Sequence, residues 1–227
     1  MKKKVLSLTM VFIFLVTIFE ISLGEKMNLE RITASAETGK LLTVEDVKKY
    51  EGKISCGYDN TVGVNEDGTV WFAGDGRSGP YLVSDWKEIV SVFAGNWHTA
   101  GVKKDGTVVL VGGDSEILNI VSGWKNVKKI SVGDSHILGL KEDGTAVATG
   151  YNYSGENNIE NWADLIQLDG GHQNTVGLKS DGTVVATGFN GGGESDVGHW
   201  EKIVQISASG QLTVGLKSDG TVITTCE

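Results

Sequence analysis

Three groups of residues have types and spacings that could support chemistry. Residues 74–79 read Gly-Asp-Gly-Arg-Ser-Gly, the glycine pattern that cradles a dinucleotide where a helix begins. Residues 84–87 and 122–125 read Ser-x-x-Lys, a spacing that can place a lysine beside a nucleophilic serine. His98 and His136 carry imidazoles of the kind that bind metal ions.

None of these groups has the sequence context that its chemistry needs. Pro80 follows the glycine pattern, and no helical periodicity opens there. The Ser-x-x-Lys pairs have no Ser-Asp-Asn or Lys-Thr-Gly companion. No cysteine or carboxylate recurs beside His98 and His136, which favours a loop hydrogen bond over metal binding. We therefore expect no enzyme, no cofactor and no metal site.

The elements that would position any site recur every 38 residues. The tripeptide Asp-Gly-Thr begins at Asp67, Asp105, Asp143, Asp181 and Asp219. Tryptophans keep the same interval at Trp86, Trp124, Trp162 and Trp200. A fixed period of this length marks a stacked or ring-shaped repeat protein. The regular position of these tryptophans favours packing between repeats over sugar binding.

One repeat, residues 86–123, predicts short antiparallel strands. Residues 89–93 are β-rich, residues 98–102 alternate in apolar character, and residues 107–111 are apolar on both faces. Asp105-Gly106 is a two-residue hairpin signal, and a weak fourth strand is expected around Val121. The sequence predicts an all-β fold: a β-propeller with five 38-residue blades of four antiparallel strands.

The phase of the repeat predicts how the ring closes. Residues 37–47 precede the first strand of the first repeat, and the chain reaches Glu227 after the third strand of the fifth. We expect this N-terminal segment to supply the missing strand of the last blade and to protect its edge. Cys56 and Cys226 then lie on neighbouring blades, where a disulfide is a hypothesis and two free buried thiols are the default expectation.

The first 36 residues read as an export signal. Three lysines precede an apolar run at residues 5–19, and Ala34-Ser35-Ala36 fits a cleavage site. We expect a signal peptide at 1–36, a single propeller domain at 37–227, and secretion from a bacterium; a membrane anchor left uncleaved is the alternative. Cleavage leaves 191 residues, close to five periods, so we expect the chain to be complete.

Charge limits the choice of partner. Residues 37–227 hold 15 basic and 26 acidic residues, a net charge of −11. That sign repels nucleic acid and anionic lipid, so we expect neither nucleic acid nor membrane as a partner.

Residues 171–190, followed by Gly193 and Glu194, resemble the repeat of the regulator of chromosome condensation family. That repeat runs Gly-x-x-His, an apolar pair, Asp-Gly, a short strand, then Gly-x-Asn and Gly-Gln. His98 and His136 match its histidine, while the other repeats carry Asn60, Asn174 and Leu212 at that position. Residues 152–155 and 190–193 match its later motif, and the resemblance spans residues 48–226.

The resemblance implies a β-propeller, usually seven-bladed with longer repeats in that family. Its eukaryotic members act on a small GTPase and on chromatin, a role that export and negative charge oppose here. Secreted bacterial members with short repeats look closer, including inhibitors that cap β-lactamases. An activity does not follow from the fold alone.

Loops that vary between repeats are the candidates for recognition. In an antiparallel meander, the loops after the first and third strands emerge on one face, and the uniform Asp-Gly-Thr hairpins emerge on the other. We predict that the variable face binds a partner through Tyr58, Asp59, Asp75, Arg77, Trp97, Asp114, Asp134, Tyr151, Tyr153, His172, Gln173 and Phe189. Ordinary solvated loops are the alternative.

The predicted function is a secreted, non-enzymatic, monomeric module that binds an extracellular or cell-surface protein. The alternative is a propeller that binds cell-wall or mucus glycan through Trp97, Tyr151 and Tyr153. A hydrolase is the weakest reading, because no acid–base pair or triad stands out.

Overall fold

A computed structural model describes residues 52–57, 60–74, 83–95 and 97–225, together with the backbone of residues 32–33 and 41–42. The chain divides into two compact units, residues 1–51 with 218–221, and residues 52–217 with 222–227. The first unit contains an antiparallel pair, β1 (Ile32–Thr33) and β2 (Leu41–Leu42). Leu41 and Leu42 therefore belong to a separate two-stranded sheet. The rest of the predicted closing segment and the predicted signal sequence lie outside the described residues.

The second unit contains five antiparallel sheets, each formed by three consecutive strands. Sheet 1 has β3 (Ile54–Cys56), β4 (Asn60–Val64) and β5 (Val70–Gly74), and sheet 2 has β6 (Ile89–Ala94), β7 (Thr99–Lys103) and β8 (Val108–Val111). Sheet 3 has β9 (Val127–Val132), β10 (His136–Lys141) and β11 (Ala146–Gly150). Sheet 4 has β12 (Leu165–Gly170), β13 (Asn174–Lys179) and β14 (Val184–Gly188), and sheet 5 has β15 (Ile203–Ser209), β16 (Leu212–Lys217) and β17 (Val222–Thr224). The predicted antiparallel strands are present, at three per sheet in the described residues instead of four.

The fourth strand expected around Val121 is wrong, because this segment forms the helix α1 (Ser115–Ser122). Oδ1 of Asp114 accepts hydrogen bonds from the N–H groups of Glu116 and Ile117, which caps the helix. Ile117 and Val121 are four residues apart, so both lie on the face that packs into the core. In the part of the chain that the structure describes, no helix is long and apolar enough to cross a membrane.

The Asp-Gly-Thr hairpins hold a three-residue loop, not the two-residue loop that Asp-Gly predicts. Lys103 N–H donates to the carbonyl of Thr107, and Gly106, at φ +77°, donates to the carbonyl of Lys103. A glycine in the left-handed region is the usual third residue of such a loop. Oδ1 of Asp105 accepts from both the N–H and the hydroxyl of Thr107, at 2.9 and 2.6 Å. This bonding, which recurs in all five hairpins, explains why the tripeptide is invariant.

Each of the first four hairpins is also bonded to the start of the following sheet. The carbonyl of Gly106 accepts from the N–H of Val127, and the carbonyl of Gly182 accepts from that of Ile203, both at 3.0 Å. The residue before each of these strands lies in the left-handed region although it is not glycine: Glu88, Asn126, Asp164 and Lys202, with φ between 58° and 59°. The hydrogen bonds between a hairpin and the next sheet thus accompany a strained backbone conformation at one residue every 38 residues.

We expect Lys202→Gly to raise the free energy of unfolding by about 0.5 to 1 kcal/mol, because a lysine in the left-handed region is strained by about 1–2 kcal/mol. Asn126→Gly should gain less, since asparagine tolerates this region. Urea unfolding of both variants provides the measurement. The control is Glu201→Gly, at a neighbouring position without positive φ, which should destabilise; equal effects at residues 201 and 202 would refute the argument.

In the described residues the core consists of four clusters, one at each joint between consecutive sheets. At the joint of sheets 4 and 5, Val176 and Val184 from sheet 4 pack against Trp200, Ile203 and Ile206. The tryptophans at 38-residue intervals lie in or against these clusters, so they serve packing between repeats as expected. The buried apolar area that stabilises the fold therefore lies between repeats.

Each repeated tryptophan lies over a glycine of the middle strand. A methyl group added at Gly101, Gly139, Gly177 or Gly215 would lie 2.7 to 3.0 Å from the indole of its own repeat. Only glycine leaves room for so close an approach. In sheet 1, where Lys48 stands at the tryptophan position, Trp71 of β5 covers the equivalent Gly63 instead.

First-strand side chains add polar links between sheets. The hydroxyl oxygen of Ser55 accepts from the N–H of Ala94 at 3.0 Å, and Oδ2 of Asp169 accepts from that of Ala208 at 2.9 Å. Oδ1 of Asp169 also accepts from the hydroxyl of Ser131 at 2.7 Å, so one carboxylate joins three sheets. Burial raises the pKa of Asp169, partly offset by these hydrogen bonds.

Candidate functional site

The loops after the first and third strands of a sheet meet at one end of that sheet, here called the loop end. In sheet 3 the N–H of Tyr151 donates to the carbonyl of Ser135 at 3.0 Å. In sheet 4 the N–H of Phe189 donates to the carbonyl of Gln173 at 2.8 Å. The predicted sorting of loops therefore holds for these sheets.

Exposed aromatic side chains concentrate at the loop end. Trp97 is 66% exposed, and Tyr151, Tyr153 and Phe189 are also exposed. The rings of Tyr151 and Tyr153 stack with centroids 5.2 Å apart and an interplanar angle of 15°. Large exposed aromatics are uncommon on a surface without a partner, and they are enriched at protein interfaces.

Internal hydrogen bonds fix the loop that carries the two tyrosines. Oε2 of Glu156 accepts from the N–H of Ser154 at 2.7 Å, and Oδ1 of Asn152 accepts from that of Asn157 at 2.8 Å. The Asn157 amide donates to the carbonyl of Tyr151 at 3.1 Å. Sheet 4 repeats this arrangement with Asn190 and Glu194. These bonds order the loop before any ligand arrives.

Asp134 and His172 occupy equivalent positions in sheets 3 and 4 and contact each other. Oδ2 of Asp134 lies 2.6 Å from Nδ1 of His172, and both side chains are about half exposed. The N–H of Asp134 also donates to the carbonyl of Gly171 at 3.2 Å. The pair is thus a polar bridge between two loops of the loop end.

The other predicted site residues have different outcomes. Asp114 caps α1, which gives it a structural role. Gln173 is partly buried and contributes its carbonyl to Phe189. Four further residues lie outside the described residues: Tyr58, Asp59, Asp75 and Arg77.

His136 belongs to a buried polar network at the joint of sheets 3 and 4. Its Nε2 lies 2.9 Å from Oγ1 of Thr175, and the Thr175 hydroxyl donates to the carbonyl of Glu156 at 2.7 Å. Because that hydroxyl has a single proton, Nε2 of His136 must be the donor to Thr175. The neutral ring is therefore the Nε2–H tautomer, and its Nδ1 is buried without a described partner.

Burial lowers the pKa of His136 to about 4, although the negative charges of Glu156 and Asp134 oppose the shift. The next joint uses the same scheme with Asn174, whose amide faces the carbonyl of Glu194 at 3.4 Å. Burial also lowers the pKa of His98, and neither of its ring nitrogens has a described partner. Of the two histidines expected to make a loop hydrogen bond, His136 makes a hydrogen bond, and its partner is Thr175 on a strand of sheet 4.

The buried carboxylates and threonines of these joints were not predicted as site residues: Glu156, Glu194, Thr175 and Thr213. Each pair is 38 residues apart, so their recurrence was the available signal. Among the described residues, no group of three or more His, Cys, Asp or Glu side chains is placed to hold a metal ion. Cys56 carries a free thiol and is exposed, not buried as expected, and Cys226 lies outside the described residues.

Comparison with protein families gives one match. The model of the Regulator of chromosome condensation (RCC1) repeat matches residues 127–156, which include sheet 3 and the tyrosine loop. The curated proteins give no match.

Solved structures resemble the chain in fold. The CRINKLY WD40 ectodomain of the Arabidopsis thaliana receptor kinase ACR4 has a TM-score of 0.62 and 17% identity, over 76% of this chain and 71% of that one. The ectodomain of the Physcomitrella patens receptor kinase CR4 has a TM-score of 0.62 and 18% identity, over 76% and 52%. Prp20p of Saccharomyces cerevisiae has a TM-score of 0.58 and 17% identity, over 84% and 62%. This chain thus spans between about half and 71% of these proteins, and the likeness establishes a propeller-type fold.

Proposed function

We propose that this chain, whose residues 127–156 match the repeat of the regulator of chromosome condensation family, is a non-enzymatic module that binds a protein through its loop end. The observation that carries the proposal is the set of exposed aromatics at the loop end: Trp97, Tyr151, Tyr153 and Phe189. Aromatic side chains supply most of the affinity at protein interfaces, where polar neighbours exclude water around them.

Order in the free protein strengthens the proposal. Association must overcome the entropy lost when loops and side chains become fixed. The tyrosine loop is already held by Asn152, Glu156 and Asn157, so Tyr151 and Tyr153 bind at a smaller entropic cost. The Asp134–His172 bridge adds polar side chains to the loop end.

One structural neighbour, Prp20p, which is the RCC1 protein of yeast, has protein partners. Prp20p is described with binding properties toward Gsp1p and histones, and yeast RCC1 is known bound to Kap60. For this chain we propose an extracellular or cell-surface protein, on the strength of the export signal predicted at residues 1–36 and the acidic composition. A partner with a cationic surface suits that composition.

A glycan is the weaker alternative. Sugars bind on the open faces of aromatic rings. In the free protein, Tyr151 and Tyr153 stack on each other and so occupy one face of each ring. That geometry favours a compact aromatic anchor for a protein pocket.

The triple variant Trp97→Ala, Tyr151→Ala and Tyr153→Ala should weaken binding by about 100-fold or more, because interface aromatics often contribute 2 kcal/mol or more each. The melting temperature should change little, since all three side chains are exposed. A partner captured from culture medium by the unmodified protein, then titrated by calorimetry, provides the measurement. A glycan array run in parallel tests the alternative.

The matched control changes three exposed residues that directly precede Asp-Gly-Thr tripeptides, at the opposite end of the sheets from the loop end: Lys104→Ala, Glu142→Ala and Ser180→Ala. Only their backbone N–H groups make hydrogen bonds to the neighbouring strand starts, so folding should be preserved. Binding should be unaffected. Loss of binding in this control, with full binding by the aromatic variant, would place the site at the opposite end.

A further inference from the structure

The four joints follow one positional scheme. The earlier sheet contributes side chains from its second and third strands, and this surface is here called its leading face. In sheet 4 these side chains include Val176 and Val184. The later sheet contributes side chains from its first strand and one side chain from its third strand, and this surface is here called its trailing face. In sheet 5 these side chains are Ile206 and Ala208 of the first strand and Ile223 of the third. The other joints use equivalent positions 38 residues apart.

The leading face of sheet 5 is uncovered. Val222 is 61% exposed, whereas its equivalent Val184 in sheet 4 is 4% exposed. Leu212 is also exposed, although its equivalents in sheets 1 to 4 are all buried polar residues. Val214 is partly exposed, while its equivalent Val176 is fully buried. Sheet 5 therefore presents to solvent an apolar surface of the kind that every other sheet buries.

The trailing face of sheet 1 is uncovered in the same way. Ile54 is 44% exposed, whereas its equivalent Val92 in sheet 2 is 5% exposed. Cys56 is exposed where Ala94 is buried. Trp71, on the third strand at the position of Ile223, is exposed as well. These three residues form an apolar surface with an aromatic at its centre.

We propose that two copies of this chain associate head to tail, with the leading face of sheet 5 in one copy against the trailing face of sheet 1 in the next. The chain carries both halves of a joint that it already makes four times internally. Among the residues that the structure describes, none covers either half, since Val222 and Ile54 are both exposed. A second copy satisfies both faces with the packing positions already in use. Such an interface is heterologous, so it closes into a ring or extends as a filament. It is an alternative to the monomer predicted from the sequence.

Sedimentation of the purified chain across a wide concentration range tests the proposal. The unmodified chain should show a mass that rises with concentration above the mass of a single chain. Val222→Glu or Ile54→Glu should weaken association by about 100-fold or more, because a carboxylate would be buried in an apolar interface. Both side chains are exposed in the single chain, so folding is retained. Ile166→Glu, at a site 46% exposed on sheet 4 and on neither end face, is the control and should associate normally.

Mixing the two variants gives the decisive result. The V222E chain keeps an intact sheet 1, and the I54E chain keeps an intact sheet 5. An equimolar mixture should therefore form a one-to-one dimer, while each variant alone stays monomeric. Failure of the mixture to associate would overturn the head-to-tail arrangement. A chain that is monomeric at every concentration would overturn the proposal, because its ends would then be covered intramolecularly or left exposed.

Discussion

Replacing Trp200 by alanine should lower the free energy of unfolding by about 3 to 5 kcal/mol, the usual loss when a fully buried aromatic is removed. Trp200 is 1% exposed and touches the side chains that join sheets 4 and 5. Without its indole, the cluster that also contains Val176 and Val184 is left with a cavity. Urea unfolding followed by circular dichroism provides the measurement.

Two controls identify packing as the cause. Trp97→Ala removes the same side chain at an exposed loop position and should change stability by less than about 0.5 kcal/mol. Gly215→Ala puts a methyl group 2.7 Å from Cζ3 of Trp200 and should destabilise by about 1–3 kcal/mol. The double variant Trp200→Ala/Gly215→Ala should lose less than the sum, since the clash disappears with the indole. Additive losses would show that Gly215 matters for another reason.

Acid should destabilise the protein through His136. The pKa of its imidazole is about 4 in the folded state and about 6.5 when unfolded, so below pH 6.5 the unfolded chain binds more protons. The contribution is complete above pH 6.5 and is lost as the pH falls toward 4. Between pH 7.5 and 4.5 the loss should reach about 2 to 3 kcal/mol. The structural cause is that protonation at Nδ1 adds a buried charge without a described acceptor.

His136→Asn is the matched variant, because Asn174 occupies the same position at the next joint. Its unfolding free energy should vary with pH by about 2 kcal/mol less than that of the unmodified protein over the same range. His98 should leave a smaller dependence of the same sign, since burial lowers its pKa too. An unchanged pH profile in His136→Asn would exclude His136 as the source.

Other titrating groups can be separated by pH. The Thr69 hydroxyl and N–H hold the pKa of Asp67 below its usual value, and Asp105, Asp143 and Asp181 behave likewise. Their contribution is lost only as the pH falls through their lowered folded values, below the range used for His136. Asp169 has a raised pKa, so acid relieves its burial and acts in the opposite direction.

The sequence predicted those parts of the fold that recur identically. The Asp-Gly-Thr turns, the strand positions and the packing role of the tryptophans follow from local chemistry that each repeat restates. The exposed aromatics Trp97, Tyr151 and Tyr153 could be singled out because they interrupt the pattern. Whether they bind a partner depends on a molecule that the sequence does not contain.

The features that escaped prediction depend on contacts between repeats or on single departures from the pattern. α1 replaces an expected strand because Asp114 caps one repeat only. Lys202 has a left-handed backbone conformation beside the hydrogen bond between Ile203 and the hairpin of the previous repeat, and no local propensity reveals that contact. Trp71, on the third strand of sheet 1, covers the middle-strand glycine that a tryptophan before the first strand covers in the other sheets. The bond between Asp134 and His172 requires two loops to be neighbours in space.

Because every core cluster lies at a joint and uses equivalent positions, the gene for such a chain can gain or lose segments of 38 codons at little structural cost. Deleting residues 127–164 would bring Val102 and Val108 against Leu165 and Leu168, an apolar pairing like those already present. The deleted or inserted segment can begin at any position of the repeat, because the residues joined at its ends occupy the same repeat positions as the neighbours they replace. Recombination between repeats can therefore vary the number of loops offered to a partner without redesigning a core.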